Sequence, residues 1–204
     1  LFWYRLITLI WAPIQFITLF GILALAISAD MTLLEKIGLF CAIGVLTGTI
    51  GINYAHELMH KSGKLERWLA DSLLAMVLYS HFRSEHLLVH HIHVGTPKDP
   101  VTARYNESFY SFFNRVLVQC PISAFKAETQ KLWRKRLPAS HISNPFYIYF
   151  SAQLFMIVLS ILIGGFFGLF LFLIQAFVAV LLLELVNYIE HYGLSRKNLE
   201  NGKY

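Results

Sequence analysis

FFGLFLFLIQAFVAVLLLELVNYIE, residues 166–190, is the stretch whose reading decides the fold, and it runs without interruption into His191. It is longer than the roughly 20 apolar residues that cross the hydrocarbon of a bilayer. A second apolar run, residues 145–163, is joined to it at Gly164-Gly165. Two more runs lie upstream, at about residues 2–28 and 33–56, separated by the short turn Ser28-Ala29-Asp30-Met31-Thr32. Trp3, Tyr4 and Trp11 near one end of the first run read as an aromatic belt. Gly38, Gly44, Gly48 and Gly51 in the second favour close helix packing. The composition agrees, with 56% hydrophobic and only 14% charged residues and a mean hydropathy of +0.56. A soluble domain carries about 25% charged residues.

The placement of Lys and Arg sets the expected orientation. Twelve of the 17 basic residues fall between Lys61 and Arg136, and Arg196, Lys197 and Lys203 follow the last run. Lys36 alone lies by the first turn, and none lies near Gly164-Gly165. By the positive-inside rule, both hairpins dip from the cytoplasm and return to it. The net charge of +5 could indicate a nucleic acid partner. Its confinement to segments beside apolar helices instead reads as contact with anionic lipid headgroups, with no nucleic acid partner. Residues 68–82 are apolar but too short to span and include Asp71, so a re-entrant or interfacial helix is expected there. Residues 61–144 and 191–204 are expected to be cytoplasmic or interfacial, with the Lys131–Arg136 stretch facing solvent or headgroups. The expectation is an all-α integral membrane protein in one membrane-embedded domain over 1–204. It is a helical bundle of two transmembrane hairpins plus re-entrant or interfacial helices. The chain begins at Leu1 and stops at Tyr204 without a closing element, so it is expected to be a fragment, incomplete at both ends. Cys41 and Cys120 are too few for a disulfide framework or a cysteine-based zinc site.

The histidines carry the chemistry. Seven of the nine fall in three clusters where the apolar runs meet basic segments: HELMHK at 56–61, EHLLVHHIH at 85–93 and NYIEHYG at 187–193. Ionisable side chains at a membrane edge are functional candidates by default. His56 and His60 are spaced i, i+4 and share one helical face. His86 and His90 repeat that spacing, with His91 on a neighbouring face, and His191 comes from a helix returning to the same membrane side. These six imidazoles exceed what one tetrahedral ion requires, so two metals are inferred, of a kind that imidazole alone does not name. Glu57, Glu85 and Glu190 each stand beside a histidine, as partners for its distal N–H, as ligands, or as partners of Lys61 and Arg83. His81 and His93 flank the second cluster in supporting roles, and His141 reads as a surface residue. An isolated HExxH would equally fit a zinc protease with Glu57 as general base, but that leaves the other clusters unexplained.

At these residues the sequence resembles the membrane-bound alkane hydroxylases, within the wider fatty-acid desaturase and hydroxylase superfamily. HELMHK is similar to the family's first histidine box. EHLLVHH, with the following Val94–Pro100 stretch, is similar to the second, although Val89 stands where the family usually has Gly and Leu87-Leu88 replaces a more polar pair. NYIEHYGL, containing Asn187, resembles the alkane hydroxylase and xylene monooxygenase branch rather than the desaturases. The resemblance implies a multi-pass enzyme of the bacterial inner membrane, with its active site on the cytoplasmic side. Two non-haem irons, a diiron centre, would be held by His56, His60, His86, His90, His91 and His191. Such an enzyme uses O2 and electrons from a rubredoxin-type donor to hydroxylate an unactivated C–H bond, most simply the terminal carbon of an alkane. A fatty-acid desaturase or lipid hydroxylase using the same metal chemistry is the alternative. The family also carries a further histidine box downstream, which this chain does not reach.

Overall fold

The computed structural model describes residues 2–197 (for Phe2 and Tyr4 the backbone alone). Among these, all regular structure is helical: α1 (Phe2–Ser28), α2 (Leu33–Leu46), a π-helical turn π1 (Thr47–Gly51), α3 (Ile52–Met59), α4 (Lys64–Met76), α5 (Phe82–Glu85), a second π-helical turn π2 (His86–His90), α6 (His91–His93), α7 (Phe109–Arg134) and α8 (Phe146–His191). Three stretches are long and apolar enough to cross a membrane: Arg5–Ser28, Leu33–Met59 and Phe146–His191. A straight helix of the 46 residues of α8 would extend about 69 Å, more than twice the hydrocarbon thickness. It is not straight. Gly164 (φ −137°, ψ 18°) and Gly165 (φ 61°, ψ −155°) leave helical geometry, the latter in a region that only glycine occupies cheaply. A Cβ on Gly168 would lie 2.6 Å from the Ser160 carbonyl oxygen, whereas residues eight apart on a straight helix are about 12 Å apart. The chain therefore turns back at the glycine pair, which lies between the apolar runs expected at 145–163 and 166–190.

The chain divides into two compact units, Leu1–Ser80 with Ile148–Leu183, and His81–Tyr147 with Glu184–Tyr204. In the first unit the core is Leu19, Leu23, Phe40, Met76, Leu171 and Phe172 with their neighbours. Lipid tails are as apolar as leucine, so helices here must associate through close approach and polar contacts. Both devices are present. A Cβ on Gly44 would lie 2.6 Å from the Val178 Cβ, and one on Gly48 would lie 2.9 Å from the Ala179 Cα. The glycine-rich helix thus packs backbone to backbone on residues 175–179. Gly38 departs from this reading, since nothing lies within 4 Å of its Cβ position.

The polar contacts form a buried chain. Trp11 Nε1 donates to Gln15 Oε1 (2.8 Å), and Gln15 Nε2 reaches the Met76 sulfur (3.6 Å). Gln175 Nε2 donates to the Met76 carbonyl (2.7 Å), an orphan acceptor at the end of α4, while Thr47 Oγ1 donates to Gln175 Oε1 (3.0 Å). Helix α2 begins with a capping box, Thr32 accepting from the Glu35 amide and Glu35 accepting from the Thr32 amide. Segment 68–82, expected to be re-entrant or interfacial, holds most of α4. Its Leu69, Leu73, Leu74, Ala75 and Met76 are buried within the first unit, so the apolar face of α4 is directed at protein. At 13 residues, about 20 Å, it is too short to span.

The second unit is built on α7. Phe112, Val116, Cys120, Ala124, Glu128 and Leu132 form its buried i, i+4 row. Ser84 at α5 donates to buried Glu128 (2.8 Å), which also pairs with Lys131 (3.2 Å). Tyr188 packs on Phe109 and Phe112, with ring centroids 5.6 and 5.4 Å away. Cys41 and Cys120 are free thiols.

The glycine contacts give a paired test. In thermal denaturation of the detergent-solubilised full-length protein, Gly48→Ala is expected to lose about 1–3 kcal/mol by overpacking against Ala179. Gly38→Ala, with open space and a helical backbone, is expected to be neutral or to gain up to about 1 kcal/mol.

Candidate metal centre

The first histidine pair belongs to the first unit. His56 lies in the last turn of α3, and His60 is the residue that ends it. Their Nε2 atoms are 3.4 Å apart. Two imidazole nitrogens bound to one cation at about 2.1 Å stand roughly 3–3.4 Å from each other, so this spacing suits a shared ion. Glu57 projects elsewhere and pairs with Lys61 at 2.6 Å, both about half exposed. A zinc protease would need that carboxylate free to activate water. A cleft of about 1040 Å3 in the same unit is lined by the charged Arg5, Glu57, Lys61 and Glu66 together with Tyr54 and Leu58, and by neither histidine.

The second and third clusters belong to the second unit, where π2 changes the expected pairing. A π turn holds one residue more than an α turn, so residues i and i+5 come over one another. His86 Nε2 accordingly meets His91 Nε2 at 2.8 Å, while the His90 ring stacks on that of His86 with centroids 5.4 Å apart. The i, i+4 spacing predicts the neighbours His86 and His90, which do stack, but the closer nitrogen contact is the one with His91 that the π turn creates. His90 also faces His191, their rings edge to face with centroids 4.7 Å apart.

Each member of this last pair has one ring nitrogen occupied. His90 Nδ1 lies 2.9 Å from Asp99 Oδ2, and His191 Nδ1 lies 2.8 Å from the Asn187 carbonyl oxygen. Both partners accept, which assigns the proton to Nδ1 and leaves the Nε2 lone pair for a cation. Burial alone would raise the Asp99 pKa, but hydrogen bonds from His90 and Thr102 outweigh it and hold Asp99 below the usual carboxylate range. Asp99 therefore accepts as a carboxylate.

The supporting residues are distributed as follows. The Asn187 side chain donates to Glu184 (3.1 Å), while its carbonyl holds His191. Glu190 is exposed, and the His191 N–H goes to Asn187 rather than to it. Glu85 is 1% exposed, with no hydrogen-bond partner for either carboxylate oxygen among the described residues. Burial, followed by the charges of Asp99 and Glu184, pushes its pKa well above the usual carboxylate range. His93 is half-buried, its carbonyl accepting from Thr96 (2.7 Å). His81 immediately precedes α5 without a side-chain capping bond, and burial pushes its pKa down to about 4. The imidazole set is nitrogen-rich, with the ring protons of His90 and His191 anchored away from Nε2, and is chemically suited to first-row metals such as iron, copper or zinc.

The fatty acid desaturase family model matches residues 36–203. The chain belongs to the fatty acid desaturase family. Within it, the chain is 40% identical over 169 residues to alkane 1-monooxygenase 2 of Pseudomonas aeruginosa, covering 83% of this chain and 45% of that protein. It is 36% identical over 208 residues to alkane 1-monooxygenase 1 of the same organism, covering 99% and 53%. It is 31% identical over 164 residues to the hydroxylase component of xylene/toluene monooxygenase of Pseudomonas putida, covering 80% and 44%. The chain spans about half the length of these curated relatives.

Two residues of this desaturase-family site escape a reading by spacing. Asp99 is nine residues from its histidine on a loop, with no periodic relation to it, although it stands within the Val94–Pro100 stretch. Glu184 lies inside the last apolar run yet is 1% exposed, and a carboxyl group within such a run is itself a signal.

His81 supplies a pH test. Its folded value near 4 lies below the unfolded value near 6.5, so the unfolded chain takes up the proton first on acidification. That contribution to stability is complete above about pH 6.5 and is lost as pH falls toward 4. Relative to His81→Gln, the wild type should lose about 3 kcal/mol across that window in a melting series.

Proposed function

We propose that the protein containing this chain is a non-haem diiron monooxygenase that hydroxylates an unactivated C–H bond of a hydrocarbon, the terminal carbon of an alkane in the simplest case. The observation that carries the reading is the pairing of imidazoles, His56 with His60 at a nitrogen separation of 3.4 Å suited to a shared cation, and His86 with His91, whose Nε2 atoms converge to 2.8 Å. The names of the relatives, alkane 1-monooxygenases and a xylene/toluene monooxygenase component, support the substrate class and the use of O2. His56, His60, His86, His90, His91 and His191 hold the irons in this reading, with further ligands from the remainder of the protein. Bound iron supplies the activation of O2 and the insertion of one of its oxygen atoms into the C–H bond.

The residues of the chain supply position, proton control and dryness. Asp99 and the Asn187 carbonyl fix which nitrogen of His90 and of His191 is offered. Helices rich in Leu, Ile and Phe dissolve an apolar substrate and exclude water from the reaction. The chain lies in the bacterial inner membrane as two transmembrane hairpins, with α4 re-entrant and the histidine clusters on the cytoplasmic side. That orientation is supported by the 12 basic residues between Lys61 and Arg136. On that side a rubredoxin-type iron protein delivers electrons.

The test is made on the full-length protein in lipid nanodiscs. Two irons per chain and O2-dependent formation of a primary alcohol from an alkane are expected. His191→Ala should abolish turnover while leaving membrane insertion intact. About one zinc with no iron overturns the reading, and unsaturated acyl products with no alcohol replace it with a desaturase.

A further inference from the structure

We propose that Asp99 is a positioning residue for the metal centre, and that the loop 95–107, clamped by Arg115, is a strap holding His90 opposite His191. The inference rests on the metal-centre reading above and extends it to residues that ligate nothing.

The strap begins at the carboxylate. Asp99 is 3% exposed, and both of its oxygens are engaged. Oδ2 accepts from His90 Nδ1 (2.9 Å) and from Thr102 Oγ1 (2.6 Å), while Oδ1 accepts from the Val101 amide (3.0 Å). Thr102 Oγ1 in turn accepts from the Gly95 amide (2.8 Å), which closes the loop on itself. The carboxylate meets only donors, so His90 can be bound there only through Nδ1–H.

The same loop grips the segment that carries His191. The Gly193 amide donates to the Ala103 carbonyl (2.9 Å), the Arg196 amide to the Gly95 carbonyl (2.8 Å), and the Tyr188 hydroxyl to the Glu107 carbonyl (2.6 Å). The Asn106 amide donates to the Tyr192 hydroxyl (3.1 Å). Arg115, with a side chain only 10% exposed, locks the strap from behind. Its guanidinium donates to both Glu107 oxygens (2.8 and 2.7 Å) and to the Pro100 and Thr102 carbonyls. A planar fork with five donors fits this set, and a lysine would not. One loop therefore sets both the ring orientation of His90 and the position of the helix end from which His191 projects.

An asparagine at 99 breaks this arrangement. It can place its NH2 group against His90 and reverse the ring's proton assignment, or against the Val101 amide, donor facing donor. Either way His90 Nε2 becomes a poorer ligand, and loss of such a partner lowers metal affinity about 10–100-fold.

The test uses the iron-loaded full-length protein in nanodiscs. It reads iron release to a chelator, the Mössbauer spectrum, and the melting temperature of the metal-free form. Asp99→Asn is expected to release iron about 10–100 times faster with a changed spectrum, while the metal-free protein melts as the wild type does. A lowered metal-free melting temperature with wild-type release and spectrum would reduce Asp99 to a loop-stabilising residue and overturn the proposal. Should Asp99→Asn fail to fold, Thr102→Val, which removes one donor to the same oxygen and keeps the carboxylate, carries the test. It should release iron several-fold faster, and a wild-type rate overturns the proposal. Wild-type protein that holds no iron would instead defeat the metal-centre reading on which the proposal stands.

Discussion

Within the hydrocarbon, no hydrophobic force drives one apolar helix onto another, and the first unit meets that constraint at residues 44–51. Gly44 and Gly48 let the helix backbone approach residues 175–179 to van der Waals contact, and Thr47 on the same turn reaches Gln175. Gln175 extends the contact to the last carbonyl of α4, and Gln15 reaches the side chain of the same Met76. Remove the close approach and the hydrogen bonds lose their reach. Remove the hydrogen bonds and buried amide groups remain unsatisfied in a medium without water. The position of α3, and with it of His56 and His60, follows from this contact.

The second unit solves a different problem with different means. Its histidine-bearing segments before α7 are short, five residues in π2 and three in α6, and run into an irregular stretch from 94 to 108. Periodic packing cannot orient side chains there. Local hydrogen bonds do so instead, through Asp99, Thr102, Glu107 and Arg115, with Tyr188 inserted between Phe109 and Phe112 as the apolar anchor.

Much of this architecture is legible in the sequence. The four apolar runs can be read because lipid imposes a length and a composition, and the break at Gly164-Gly165 because glycine marks a reversal. The histidine clusters are visible because imidazoles are rare beside such runs. The pairing within the second cluster is hidden, because the period of 3.6 that gives i, i+4 neighbours is broken at π2 and nothing in His86–His90 announces the extra residue. Glu57 could be read as a partner of a histidine or of Lys61, and the geometry selects Lys61. The burial of α4 is likewise hidden, since an apolar segment of that length reads the same whether it faces lipid or protein. Gly38 shows the converse, a glycine that belongs to the composition of the span but not to its contact.

The two π turns have a consequence for how this chain tolerates changes of length. A π turn is an α-helical turn that has absorbed one residue, so deleting a single residue within 47–51 or 86–90 would let the helix relax to its commoner form. Residues beyond the deletion would keep their facing, because a residue five places on in the π turn becomes one four places on in the α turn, and both stand over the first. In the first case that preserves the facing of His56 and His60, and in the second that of His91 over His86. Most helices can lose a residue only near an end, where fraying re-registers them. Here each π turn is a place inside a helix where homologous chains can be one residue shorter without turning the histidines away.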